Sequence, residues 1–152
     1  MAYYPIFTDI TGRSVLVVGA GRVGLRKIRG LVEAGAHVTV VAPDGRSDLE
    51  RLPATWRRRR FRRTDVEDMA LVFAATDDRR VNRRVAMEAR RLGIPVNVAD
   101  APGEGNFIVP ARLRSGEVQI AISTGGRSPR LAAALRRKLE ALVNPATSRQ
   151  SS

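Results

Sequence analysis

Apolar residues occur in short bursts along this chain, and their period changes from one burst to the next. Ser14-Val15-Leu16-Val17-Val18 is continuous, the pattern of a strand buried on both faces of a parallel sheet. Glycines follow at once. Leu25, Ile28, Leu31 and Val32 then share one face of a helix that runs to about Ala34 and ends at Gly35. His37-Val38-Thr39-Val40-Val41 reads as a second strand, stopped by Pro43, and residues 56–61 as a third on the sheet edge. Residues 70–75 give a fourth strand. A second helix is striped by Val81, Val85, Ala89 and Leu92 and closed by Gly93, ahead of a fifth strand at residues 95–98. Strands alternating with helices predict a parallel sheet joined by right-handed crossovers.

From about Pro110 the rhythm changes. Residues 117–123 alternate with period 2, as a half-exposed antiparallel strand does. Ser128-Pro129 is an N-cap followed by proline at the first helical position, and Leu131, Leu135, Leu139 and Leu142 stripe the helix that follows. One strand and one helix cannot bury that stripe between them. They are expected to pack against the first domain or against a second copy of the chain.

Composition narrows the class. The chain has 152 residues, 43% hydrophobic and 28% charged, which suits one globular domain or a domain with a small appendage. A chain of this length buries roughly 68–70% of its unfolded surface and needs no disulfide or metal to fold. It has no apolar run long enough for a membrane span. Met1 to Phe7 lacks a basic region followed by an apolar stretch, so no secretory signal is expected and the protein is read as cytoplasmic. The lack of cysteine excludes disulfide frameworks, zinc fingers, iron–sulfur clusters and thiol catalysis, and the single His37, read as a surface residue, cannot build a multi-histidine metal site. No metal site is expected.

Charge is the oddity: 27 basic against 15 acidic residues give +12, and 25 of the 27 are arginine. Such an excess favours a polyanionic partner or marks a solvated surface. The densest cluster, Arg57 to Arg60 with Arg62 and Arg63, reads as a solvated edge strand. No aromatic-interleaved basic stretch accompanies it, so nucleic acid is not the expected partner.

Gly19-Ala20-Gly21-Arg22-Val23-Gly24 is G-x-G-x-x-G set between a buried strand and a helix, the context in which that motif has a mechanism. Gly19 permits the tight turn, Gly21 lets a pyrophosphate approach the backbone, and Gly24 lets helix and strand pack closely. The helix N-terminus offers N–H donors and a positive dipole. Asp44, 20 positions beyond Gly24 and just past the second strand, is placed to accept bonds from an adenosine ribose; this favours NAD over NADP, with Arg46 close by. Thr76 ends the fourth strand where open α/β sheets bind ligands. Asp77 and Asp78 read more simply as helix N-terminal carboxylates. The expected cofactor contacts are Gly19, Gly21, Arg22, Val23, Gly24, Pro43, Asp44 and Thr76. The expected fold is α/β: a Rossmann-like parallel sheet over residues 1–110, a small α+β dimerisation appendage over 111–143, and a disordered tail over 144–152.

Further blocks follow the glycine loop in a fixed order: Ala74-Ala75-Thr76-Asp77-Asp78, Asn97-Val98-Ala99-Asp100, Asn106-Phe107-Ile108-Val109-Pro110 and Ser123-Thr124-Gly125-Gly126-Arg127-Ser128-Pro129. From about residue 5 to residue 143 the series closely resembles the precorrin-2 dehydrogenase domain of siroheme synthases, which in some members also acts as a sirohydrochlorin ferrochelatase. The resemblance implies NAD-dependent oxidation of precorrin-2 to sirohydrochlorin by a homodimer formed through the region after the sheet. The family aspartate implicated in both reactions falls on Asp100, and a serine phosphorylated in some relatives falls on Thr124.

The residues read alone agree in part. Hydride transfer releases a proton and so needs a positioned base, and Asp100 directly follows the fifth strand, on the edge where the nicotinamide half belongs. Ala101-Pro102 makes a turn-starting aspartate equally good as a reading. Ser123, Thr124, Gly125, Gly126, Arg127 and Ser128 form a compact loop of hydroxyls and N–H groups suited to a carboxylate, and the same loop caps a helix. Asn97 and Asn106 complete the expected substrate contacts, and Arg114, Arg127 and Arg130 are candidates for the tetrapyrrole carboxylates. Longer family members continue into a helical domain that helps form the tetrapyrrole cleft. This chain is expected to be a short form without that cap, with weak or absent iron insertion. The rival reading is a non-catalytic NAD-sensing module, which would need the glycine loop and Asp44 but not Asp100.

Overall fold

The continuous apolar run becomes the middle of a sheet. In the computed structural model, which describes residues 3–143, β1 (Ser14–Ala20) lies between β2 (His37–Gly45) and β4 (Leu71–Ala74). β3 (Thr55–Arg57) and β5 (Val96–Val98) flank them, all parallel, in the order β3-β2-β1-β4-β5. Alternate side chains of β1 serve opposite faces. Val15 and Val17 pack with Leu25, Ile28 and Leu31 of α1 (Arg22–Glu33), while Leu16 and Val18 pack with Val85, Ala86 and Ala89 of α2 (Arg79–Arg91). Both faces are therefore covered, which is why the strand carries no polar alternation. The result is a Rossmann-like α/β unit of residues 5–107. After β3 the chain crosses over to re-enter as β4, so the topological switch point lies between β1 and β4, where such sheets open a crevice at their carboxyl ends.

Four expectations need correction. Pro43 does not stop the second strand, because β2 runs on to Gly45. The register moves from Val18↔Val41 to Ala20↔Gly45, so β2 advances four residues while β1 advances two. Residues 42–44 form a bulge, and proline is tolerated there because no ladder hydrogen bond is asked of it. The buried stripe of α2 is Asn82, Val85, Ala86 and Ala89 rather than one through Leu92, which is exposed at the helix end.

The third strand ends at Arg57, and the arginines around it are not simply solvated. Asp65, 2% exposed, draws Arg57 Nη1 to 3.3 Å and Arg59 to 2.5 and 2.8 Å through two nitrogens, and accepts from the Arg62 backbone at 2.8 Å. Burial alone would push the Asp65 carboxyl up. The bond from Arg59, the Arg62 N–H and the charges of Arg59 and Arg57 outweigh burial and hold it below its ordinary range. Asp65→Asn is therefore expected to cost about 1–3 kcal/mol in urea unfolding at neutral pH. A carboxyl depressed on folding stabilises above its unfolded pKa of about 3.9 and loses that contribution as pH falls through the folded value. The gap between parent and variant should accordingly narrow below about pH 4; a constant gap would refute the ion-pair account.

The fourth correction concerns the second unit, residues 3–4 and 108–143. It holds three elements, not two. β6 (Ala111–Ser115) pairs antiparallel with β7 (Val118–Ile122) across a two-residue loop whose first position, Gly116, has φ +57°. α3 (Pro129–Val143) follows, capped by Ser128, whose Oγ accepts from the Leu131 N–H at 3.3 Å. Only Leu113 and Ala132 of this unit are buried, while Val118, Leu131, Leu135 and Leu142 are exposed. The expected tail at residues 144–152 lies outside the described residues. No helix among the described residues is long and apolar enough to cross a membrane.

Candidate cofactor and catalytic site

The carboxyl ends of β1, β2 and β4 enclose a cavity of about 830 Å³, within the range of small-molecule and cofactor sites. Gly19 and Gly21 form one wall, the β2 bulge with Pro43 and Asp44 a second, and Thr76, Asp77 and Asp78 a third. These include five of the eight expected cofactor residues. The other three, Arg22, Val23 and Gly24, form the first turn of α1. That turn is built to receive an anion: Gly21 caps it with no side chain, and no acidic residue lies in it. Its N–H groups and dipole are thus left for a ligand. A Cβ placed on Gly21 would meet nothing within 4 Å, so the floor of the cradle is open where a pyrophosphate must approach. Asp44 is exposed, and its carboxylate takes no partner among the described residues. The residues fit a dinucleotide.

Arg46, Arg60, Arg80 and Arg84 line the same cavity, with Phe61 and Val81. Of these, only Arg46 was placed near the cofactor by the sequence; Arg60 read as part of a solvated edge strand and Val81 as part of a helix stripe, because the loop and helix that carry them reach the sheet edge only in three dimensions. Asp78 is the N-cap of α2, its Oδ1 accepting from the N–H groups of Arg80 at 2.8 Å and Val81 at 3.4 Å. That is the structural role expected of it.

Asp100 does not line the cavity. It stands exposed just beyond β5, and a buried amide ties it to the cavity wall. Asn82 Nδ2 donates to Asp100 Oδ1 at 2.9 Å, and the same side chain holds Thr76. Arg79 Nε lies 3.6 Å from Asp100 Oδ2, and Arg79 also pairs with Glu104. The bond to Glu104, then the charges of Glu104 and Asp100, push the Arg79 guanidinium further up, with burial opposing them. The sequence hid Asn82 and Arg79. The usable signal was a polar residue in register with Val85, Ala86 and Ala89 on a buried helix face.

Asn97 and Asn106, expected to touch substrate, both bond to neighbouring segments of the first unit, Asn97 buried and Asn106 exposed. Asn97 accepts from Lys27 Nζ at 2.8 Å and donates to the Phe107 carbonyl at 3.0 Å; Asn106 Oδ1 accepts from the Val96 N–H at 2.8 Å. Lys27 also lies over Phe73, which meets Phe107 edge-to-face at 5.4 Å. Together these contacts clamp residues 105–107 along β5. The loop at residues 123–128 belongs to the second unit, where its polar groups bond one another. Thr124 Oγ1 donates to the Ser128 carbonyl and accepts from the Ser128 N–H, both at 3.1 Å, and Ser123 Oγ accepts from the Gly125 N–H at 3.0 Å. Gly125 and Gly126 have φ of +64° and +79°, and Arg127 is exposed. Among the described residues no three His, Asp or Glu side chains converge to hold a metal ion.

Residues 6–111 match a family model described as putative NAD(P)-binding, and residues 116–142 one described as sirohaem biosynthesis protein central. Siroheme synthases of Ectopseudomonas mendocina and Nitrosomonas europaea are each 44% identical over 149 and 154 residues, covering 97% and 98% of this chain. The chain spans 32% of the length of either relative. The solved structure titled SirC, precorrin-2 dehydrogenase, matches with a TM-score of 0.79 at 30% identity, over 95% of this chain and 76% of that one. An E. coli tRNA N6-threonylcarbamoyladenosine dehydratase, at 18% identity and a TM-score of 0.51 over 59% of this chain, shares the fold alone. With an NAD(P)-binding model over most of its length and a precorrin-2 dehydrogenase matched across three-quarters of that protein, the chain belongs to the precorrin-2 dehydrogenase and siroheme synthase family.

Proposed function

We propose that the chain oxidises precorrin-2 to sirohydrochlorin with NAD as hydride acceptor. The observation that carries the reading is a cavity with an open pyrophosphate cradle whose wall is tied by one side chain to an exposed carboxylate. Gly21, Arg22 and Val23 hold the pyrophosphate in the turn that Gly19 and Gly24 shape by close backbone packing, while Pro43, Asp44 and Thr76 shape the nucleoside side. Asp44, being unpaired, accepts ribose hydroxyls and repels a 2′-phosphate, so NAD is preferred over NADP. When bound, NAD supplies the acceptor for the hydride that leaves the tetrapyrrole. Asp100 takes the accompanying proton and passes it to water, so the products are sirohydrochlorin, NADH and a proton. The exposed guanidinium of Arg127, with Arg114 and Arg130, meets tetrapyrrole carboxylates, and the loop at residues 123–128 holds Arg127 in place by its internal bonds. The cytoplasm, which holds the pyridine-nucleotide pool, is the setting of this reading.

The assay mixes the protein with NAD and freshly made precorrin-2 and follows NADH in the near ultraviolet. NADH formation supports the reading. NAD binding without turnover leaves a cofactor-sensing module, and failure to bind NAD removes both. We also propose a homodimer, supported by the apolar side chains of Val118, Leu131, Leu135 and Leu142 that the second unit leaves exposed. Light scattering at micromolar concentration should give twice the chain mass; a monomer would refute the dimer.

A further inference from the structure

The buried face of α2 carries one residue that does not belong in an apolar stripe. Asn82 is 0% exposed, and an amide buried without partners would cost roughly 1–3 kcal/mol. All four of its hydrogen-bonding positions face a partner, the Thr76 hydroxyl proton being shared with the Asp78 carbonyl at 3.0 Å. Oδ1 accepts from the Thr76 backbone N–H at 3.0 Å and from Thr76 Oγ1 at 2.8 Å, and Nδ2 donates to the Thr76 carbonyl at 2.9 Å and to Asp100 Oδ1 at 2.9 Å. The orientation is fixed by chemistry: a backbone N–H only donates and a carbonyl only accepts, so the amide cannot flip. Nδ2, and only Nδ2, faces Asp100. Helix capping does not explain the residue, because Asp78 already caps α2.

We infer that Asn82 is a positioning residue, fixing the carboxylate plane of Asp100 relative to the Thr76 wall of the cofactor cavity. The inference rests on the dehydrogenase reading above. One rigid side chain spans from the segment just after β4, which lines the cavity, to the carboxylate beside it, so the base is set before substrate arrives. Arg79, 3.6 Å from the other carboxylate oxygen, is drawn towards Glu104 and leaves the orientation to Asn82. Misplacement of a reacting group by about 1 Å costs roughly 10²-fold in rate.

Two variants test this. Asn82→Asp keeps the size and the acceptor towards the Thr76 N–H and hydroxyl but sets an acceptor against both Asp100 and the Thr76 carbonyl. Asn82→Ala removes the amide without burying a charge, in case the first variant does not fold. In each, kcat at saturating NAD should fall by about 10- to 10²-fold. NAD affinity, read by calorimetry or by Trp56 fluorescence, should stay within about 3-fold of the parent for Asn82→Asp. A residue that merely held the Thr76 loop would weaken NAD binding and leave kcat intact once NAD saturates, which would overturn the inference. The decisive measurement is the double variant with Asp100→Asn. If Asn82 acts through Asp100, the double variant turns over no more slowly than Asp100→Asn alone, whereas multiplied losses would refute that route. A parent protein that makes no NADH would instead bring down the dehydrogenase reading, and this inference with it.

Discussion

Asp100→Asn is expected to lower NADH production by about 10²-fold or more while NAD affinity stays close to that of the parent, because a general base contributes on that scale. The geometry makes this substitution unusually clean. Asp100 is exposed beyond β5 and does not line the cavity, so the contacts expected for the adenosine and pyrophosphate are left in place. Asn82 Nδ2 donates to Oδ1, and an asparagine at position 100 still offers an oxygen there, so the Asn82 bridge to Thr76 survives. Arg79 retains Glu104 when the neighbouring charge is removed. What disappears is basicity. A coupled assay of kcat, with calorimetric NAD affinity on the same preparation, separates the two effects. Unchanged turnover would reduce Asp100 to the turn-starting aspartate that its sequence position before Ala101-Pro102 equally suggests. Loss of NAD binding would show instead that the carboxylate belongs to the cofactor's own contacts.

The parts of this site legible in the sequence are those in which one short segment carries its own physics. β1 was visible because a strand covered on both faces has no polar positions, and the loop after it because its glycines sit between that strand and a helix. Asp78 was visible because an N-cap acts within three residues. What was not legible depends on partners far along the chain. The buried Asp65 reorganises Arg57 and Arg59, and nothing around any one of them announces the pairing. β2 continues past Pro43 because a bulge relieves the proline, and a bulge depends on the neighbouring strand. β6 escaped notice because Arg112 and Arg114 outnumber its one inward residue, Leu113. Asn82 escaped because the stripe of α2 was phased on Val81 and Leu92, a rotation of one residue that hides a polar side chain on the buried face. Sites assembled by tertiary contact are lost at that step, even when every element is found.

The glycine loop yields the other large effect, and the structure divides its labour. Gly19 has φ +104°, and a Cβ there would lie 2.4 Å from the Ala75 carbonyl oxygen. Gly24 would bring its Cβ within 2.1 Å of the Gly19 carbonyl oxygen. Both contacts are with backbone that cannot step aside cheaply, so Gly24 serves the packing of α1 on β1 and Gly19 the close approach of the Ala75–Thr76 backbone to the end of β1. Gly21 is different. Its φ of −73° and ψ of −170° suit any residue, and a Cβ meets nothing within 4 Å. Gly21→Val should therefore melt close to the parent temperature yet place two methyl groups where a pyrophosphate must touch the backbone. A loss of NAD affinity of about 10²-fold, roughly 2.8 kcal/mol, is the expected result. Gly24→Ala should do the reverse, costing about 1–3 kcal/mol of stability through overpacking, with NAD binding weakened only as far as the fold is. Calorimetric titration paired with thermal melts reads both columns of this comparison. Equal NAD affinity in a folded Gly21→Val protein would place the pyrophosphate elsewhere. A Gly21→Val protein as unstable as Gly24→Ala would mean that the open floor of the loop is filled by the chain itself.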